Sequence, residues 1–173
     1  RMPRGGIGVA RHLITTLALK DKISTVLRLF GVYGKYLPVD RSKVMELMSR
    51  GVTGKKTALV ERDREFSAIC VDDALKVIAA FIDGNVEKGV YNVASPTPLK
   101  LSAVARTARR LAAKDGREVT VEILSDEEAP VFTANVGKLE SALVKLRFTA
   151  HSTALKSVYE HLMRHKSEAR PKS

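Results

Sequence analysis

Hydrophobic and polar positions change period several times along the chain, and each change predicts an element. Residues 67–71, SAICV, form a short apolar run flanked by charge, which predicts a buried strand. Asp72 and Asp73 follow at once. Carboxylates there suit the free N–H groups and the positive dipole end of a starting helix. That helix is predicted over residues 74–82. Ala74, Leu75, Val77, Ile78, Ala79, Ala80, Phe81 and Ile82 are all apolar, so cover is expected on most sides rather than on one stripe. Asp83-Gly84-Asn85 stops it, with Gly84 the expected left-handed residue. Residues 90–94 give a second buried strand. Strand, helix and strand with tight connections make a βαβ unit, which implies a parallel sheet covered on both faces.

The same reading extends to the rest of the chain. Residues 1–8, RMPRGGIG, read as a loop-like start. A helix over 9–19 turns Val9, Leu13, Ile14, Leu17 and Ala18 toward the core, with Arg11, His12, Thr15 and Thr16 on or beside the other face. A strand over 23–30 follows the turn Lys20-Asp21-Lys22. A second helix over 41–49 points Val44, Leu47 and Met48 inward, and 55–60 is a short strand. Ser95-Pro96-Thr97-Pro98 is a turn. Ser102 is the expected cap of a helix over 103–114, with Val104, Ala108 and Leu111 inward and Arg106, Arg109 and Arg110 outward. Alternation at Val119, Val121 and Ile123 marks a half-exposed strand. Asn135 is the expected cap of a helix over 136–145, and Ser152 of a last helix with Ala154, Leu155, Val158, Tyr159 and Leu162 inside. Residues 164–173 form a basic tail with the composition of a disordered segment.

Composition narrows the classes. With 173 residues, 45% hydrophobic and 28% charged, the chain is globular and has room for one domain or one and a half. No apolar run spans a membrane, and the start lacks the layout of a secretory signal. A first residue that is Arg1 leads to the expectation of a processed, trimmed or partial chain. The single cysteine, Cys70, excludes an internal disulfide and fits a reducing compartment such as the mitochondrial matrix or the cytoplasm; its place in a buried strand reads as packing. Net charge is +11 and uneven. Residues 1–60 carry 12 Lys or Arg against 3 Asp or Glu, residues 61–143 carry 11 against 14, and residues 144–173 carry 7 against 2. Basic ends around a near-neutral centre attract polyanions such as RNA, phosphates or an acidic partner; the plainer reading is a soluble basic protein. Asp126, Glu127 and Glu128 read as a solvated acidic turn rather than an acid–base pair. His12, His151, His161 and His165 are scattered, so no metal site is expected.

Three motifs carry a family resemblance. VDDALKVIAAFI followed by GVYNVAS resembles the extended short-chain dehydrogenase/reductases, the NAD-dependent nucleotide-sugar epimerases and dehydratases, with 3β-hydroxysteroid dehydrogenases as close relatives. LRLFGVYG at 27–34 is similar to that family's strand and loop around Asn-x-Tyr-Gly-Pro. TANVGKLESALVKLRFTAHSTALKSVYEHL at 133–162 is similar to its closing segment. Order and spacing match over roughly residues 25–165. The resemblance is to the C-terminal half of such a protein and implies an α/β fold: an incomplete Rossmann-like parallel sheet plus small α/β substrate-domain elements. Residues 1–98 would hold the Rossmann-like part with a substrate-domain insertion at about 35–65, and 99–163 a substrate-domain-like segment.

The family uses NAD or NADP, yet the machinery is not in this chain. A phosphate-cradling glycine loop leaves a strand and opens a helix, and GGIG at 5–8 has no room for a strand before it. The family's Tyr-x-x-x-Lys pair lies in the helix before LRLF, where a lysine lowers the pKa of a phenol that moves the carbinol proton. Here that helix has no tyrosine, and Tyr33, Tyr36, Tyr91 and Tyr159 have no lysine four residues on. Gly31 stands where the family has a substrate-binding asparagine, and Lys35 replaces a proline. No catalytic, cofactor-binding or metal residue is therefore expected. Two substrate-binding candidates follow from the resemblance: Tyr33, retained in the motif, and Arg64 (less well Arg62), at the place of a phosphate-binding arginine but two residues out of register. Their plain readings are packing and solvation. The expectation is an epimerase/dehydratase-family protein without catalysis in this chain, its sheet completed by a missing N-terminal half or a second chain. The alternative is a basic structural or RNA-binding subunit of an organellar assembly. An enzyme with its catalytic residues on another chain is a third reading.

Overall fold

The computed structural model describes residues 6–20, 24–54, 57–84, 86–124 and 131–166. In chain order these form α1 (Gly6–Lys20), β1 (Thr25–Leu29), β2 (Val32–Tyr33), a 3-10 turn (Val39–Arg41), α2 (Lys43–Thr53), β3 (Thr57–Val60), β4 (Glu65–Phe66), β5 (Ile69–Cys70), α3 (Val71–Asp83), β6 (Gly89–Val93), β7 (Leu99–Lys100), α4 (Leu101–Lys114), β8 (Thr120–Ile123), α5 (Gly137–Ala142) and α6 (His151–Arg164). Residues 1–5 of the expected loop-like start, Asp21 and Lys22 of the expected turn, Ile23 of the expected strand, the acidic run 125–130 and the tail beyond 166 lie outside the described residues.

The sheet is α/β and in short parallel pairs. β1 runs parallel to β6, from Thr25 opposite Gly89 to Leu29 opposite Val93. β2 runs parallel to β5, and β3 to β8; among the described strands only β4 and β7 are antiparallel. The strand expected over 67–71 is therefore two residues long, and its neighbour is β2 rather than the strand that follows α3. One backbone bond, from the Ser95 N–H to the Ala68 carbonyl at 2.9 Å, ties the end of β6 to the entry of β5. The chain changes line at Gly31, which has φ 49°; a Cβ there would lie 2.5 Å from the Ser67 carbonyl oxygen, so only glycine fits.

α3 starts earlier than the pattern predicts, with Asp72 and Asp73 inside its first turn. It is also less covered than expected. Asp73, Ala74 and Val77 are buried, while Leu75 and Ile82 stand exposed, because only one layer of the described chain packs against it. Gly84 is extended (φ −104°) rather than left-handed. A Cβ there would meet the Ala80 carbonyl oxygen at 2.5 Å, so space and not dihedral freedom calls for glycine.

α1 differs most from expectation. Leu13, Ile14 and Leu17 are 53%, 65% and 65% exposed, and among the described side chains of the helix the buried one is Thr15, whose hydroxyl donates to the Arg11 carbonyl at 2.9 Å. Elsewhere the caps move. α4 and α6 each begin one residue before the serine expected to cap them, and neither N-cap makes a side-chain bond. The Ser102 N–H is met instead by Asp63 Oδ1 at 3.0 Å, across 39 residues of chain. Asn135 Oδ1 does accept from the Gly137 N–H at 2.9 Å, at the head of an α5 only 6 residues long.

Two apolar clusters hold the elements. The larger joins α2, α4 and α6 through Leu47, Met48, Val104, Ala108, Leu155 and Val158. Each Leu, Met or Val side chain among them contributes roughly 1.5–3 kcal/mol on burial, and Ala108 less. Gly51 lets α2 approach α4 closely, since a Cβ there would sit 3.0 Å from the Ala108 carbonyl oxygen. The second cluster packs Ala74 and Val77 of α3 and Leu139 of α5 against Tyr91 and Val93 of β6. Among the described residues no helix is long and apolar enough to cross a membrane.

A basic cleft with two phenylalanines

The loop between β3 and β5 and the turn before α2 converge on one cleft. Asp63 accepts from the N–H of Ser102 at the start of α4, an arrangement favoured by the helix dipole, and this pins the loop that carries Arg64. Arg64 extends over the Phe132 ring, its guanidinium carbon 5.4 Å from the centroid. Phe132 is fixed by backbone bonds on both sides of Phe66: its N–H donates to the Glu65 carbonyl, and its carbonyl accepts from the Ser67 N–H, each at 3.0 Å. From the opposite wall come Arg41, Ser42 and Lys43, at the start of α2. Gly31, Val32, Val44, Phe66 and Leu101 complete a cleft of about 460 Å³, a size that suits a small organic ligand.

Its charge is strongly positive. Lys43 Nζ lies 2.9 Å from Glu46 Oε2, and Arg50 lies 2.6 Å from the other oxygen. Burial pulls the Glu46 carboxyl upward, but the hydrogen bonds from Arg50 and Lys43 outweigh it and hold the group below its ordinary value. Among the described residues neither Arg41 nor Arg64 is ion-paired. Ser42 caps α2 without a side-chain bond, so the positive end of that helix also faces the cleft. Cations, open helix N–H groups and two aromatic faces suit a ligand that joins phosphate to a flat ring.

Of the two sequence candidates, Arg64 lines this cleft and Tyr33 does not. Tyr33 is 0% exposed, and burial pushes its phenol well above its ordinary value, with the charges of Cys70 and Asp73 adding to the effect. Its hydroxyl lies 2.7 Å from His151 Nδ1, while His151 Nε2 lies 2.7 Å from the Thr97 carbonyl. A carbonyl only accepts, so in the neutral ring Nε2 carries the proton and Tyr33 donates to Nδ1. Arg62 is exposed and takes no part in the cleft. Beside Tyr33, Asp73 has its side chain 3% exposed and accepts from the Thr149 N–H (2.6 Å), the Thr149 hydroxyl (3.0 Å) and Lys76 (2.7 Å). These groups are partnered inside the fold and hold α3 to the chain entering α6. Arg41, Lys43, Phe66 and Phe132 were not singled out from sequence. Arg41 and Lys43 left a signal, since two cations at a helix start oppose its dipole unless an anion sits there.

Among the described residues α1 opens at Gly6 and carries Arg11, His12 and Lys20 but no phenol. No group of three or more metal-binding side chains occurs among the described residues.

No family model matches the sequence, and no curated protein matches it. Solved structures do. An NAD-dependent NDP-hexosamine 5,6-dehydratase of tunicamycin biosynthesis, TunA, superposes with a TM-score of 0.72 at 17% identity, covering 94% of this chain and 55% of that one. A UDP-glucuronic acid 4-epimerase from Bacillus cereus, solved with UDP-glucuronic acid and NAD, gives 0.69 at 18%, covering 91% and 51%. A dTDP-glucose 4,6-dehydratase from Bacillus anthracis gives 0.72 at 15%, covering 96% and 54%. At these identities the likeness establishes the fold: this chain folds as part of the α/β architecture of NAD-dependent epimerases and dehydratases. It spans about half the length of the structures it matches.

Proposed function

We propose that this chain is the substrate-holding part of a protein of the extended short-chain dehydrogenase/reductase family, and that its cleft takes the diphosphate and base of a nucleoside diphosphate or its sugar ester. The observation that carries this reading is the convergence of Arg41, Lys43 and Arg64 with Phe66 and Phe132 on one 460 Å³ cleft. Guanidinium groups pair with phosphate oxygens bidentately, and the phenylalanine faces supply stacking area. The fold shared with a 4-epimerase solved with UDP-glucuronic acid, and with a dTDP-glucose 4,6-dehydratase, supports the ligand class. In the family the dinucleotide supplies a hydride acceptor, and that role falls outside this chain. Its own residues bind and orient; they do not move the carbinol proton, because the tyrosine–lysine pair is absent and Tyr33 is committed to His151.

The exposed apolar face of α1 and the single neighbour of β1 among the described strands support a sheet completed by a further segment or subunit. Titration with UDP, followed by calorimetry, tests the ligand. UDP should bind at least tenfold more tightly than uridine, and Arg64→Gln should remove that advantage while leaving thermal unfolding unchanged. Equal affinity for UDP and uridine overturns the reading. So does NAD binding by this chain alone, which would restore the cofactor role.

A further inference from the structure

Each of three helices matches its cations with an acid one turn away. α2 has Lys43–Glu46–Arg50, α3 has Asp73–Lys76 and α6 has Lys156–Glu160. α4 does not. Its 14 residues, LSAVARTARRLAAK, contain no Asp or Glu, and Arg106, Arg109, Arg110 and Lys114 are all exposed. The spacings 106/110, 110/114 and 106/109 put like charges on neighbouring turns, each pair costing a few tenths of a kcal/mol in an isolated helix. The inner face, Val104, Ala105, Ala108, Leu111 and Ala112, is fully packed and fixes the helix, so the four cations project as one rigid stripe. None of the four forms an ion pair with a described residue.

We infer that the outer face of α4 is a docking surface for the phosphate backbone of RNA. Cations recur about once per 5.4 Å turn, a spacing suited to successive phosphates along a strand. Three of the four are arginines, whose planar fork binds phosphate bidentately. The other exposed residues of the helix are only Ala103 and Ala113, so the stripe offers no apolar wedge for a bilayer. It also offers no aromatic ring for base stacking, so recognition is of the backbone and not of sequence. This surface uses none of the residues that line the cleft, and it stands or falls apart from the nucleotide reading.

The test is fluorescence anisotropy of the 173-residue chain with a labelled single-stranded RNA over a range of salt concentrations. Affinity should fall as salt rises. Arg106→Gln/Arg109→Gln/Arg110→Gln should weaken binding at least tenfold and flatten the log–log salt slope by about 2, since each phosphate contact on a single strand contributes about 0.7. All three side chains are exposed, so circular dichroism and the unfolding midpoint should match the parent. Arg64→Gln should leave RNA affinity unchanged. An unchanged affinity or slope in the triple variant overturns the proposal, as does displacement of RNA by polyglutamate of equal charge, which would assign the stripe to an acidic protein.

Discussion

Replacing Asp73 probes what fastens α3 to the chain entering α6. Its carboxylate is almost wholly buried, and the 2.6 Å bond it accepts from the Thr149 N–H is charge-assisted, worth about 1.5–3 kcal/mol. The Thr149 hydroxyl at 3.0 Å adds about 1 kcal/mol. Lys76 is half exposed, so its pair contributes only a few tenths. Asp73→Ala also strands the Thr149 N–H, and the expected loss is about 3–4 kcal/mol in urea unfolding at neutral pH. Asp73→Asn keeps an acceptor for that N–H and should lose about 2 kcal/mol. The pH dependence separates charge from shape. Burial pushes the Asp73 carboxyl up, but bonds from Lys76, Thr149 and Cys70 outweigh it and hold the group below its ordinary 3.8. A depressed carboxylate stabilises the fold above its unfolded pKa, and that contribution disappears as pH falls through the folded value. The gap between wild type and Asp73→Asn should therefore be constant from pH 7 to about 5 and close in the acid range below 3.8. A loss under 1 kcal/mol for Asp73→Ala, or a gap that does not change with pH, refutes the reasoning.

Three further outcomes follow from the geometry. Gly31→Asn, which would restore the asparagine of the resembled motif, should cost about 2 kcal/mol or more, because the left-handed backbone and the Ser67 carbonyl leave no room for a Cβ; denaturant unfolding reads this directly. Tyr33→Phe leaves His151 Nδ1 without its donor and should lose about 1–2 kcal/mol without changing UDP affinity, since Tyr33 does not line the cleft. Leu13→Glu/Leu17→Glu should leave unfolding within about 0.5 kcal/mol of the parent, as for other exposed sites, and abolish self-association or capture of a completing segment in sedimentation measurements.

Local pattern alone determined the type of most elements in this protein. Apolar runs gave β6 and α3, the carboxylate pair marked the start of α3, and the outward arginines of α4 followed from helical spacing. The motif around Val32 and Tyr33, with the two others in register, also carried the parallel α/β architecture. What the sequence could not supply was anything set by distant partners. The cap of α4 is Asp63, from 39 residues away, because the chain folds the loop back onto the helix. Which face of α1 is buried depends on the layer that meets it, and periodicity identifies an apolar face without saying that anything covers it. The cleft is the same case: Arg41 with Lys43, Arg64 and Phe132 come from three stretches far apart in sequence, and only the packing of α2 and α4 with the β4–β7 ladder brings them to one surface. Spacing encodes an element's own faces, because those are set by its helical or extended repeat. The juxtaposition of faces is decided by the whole core at once.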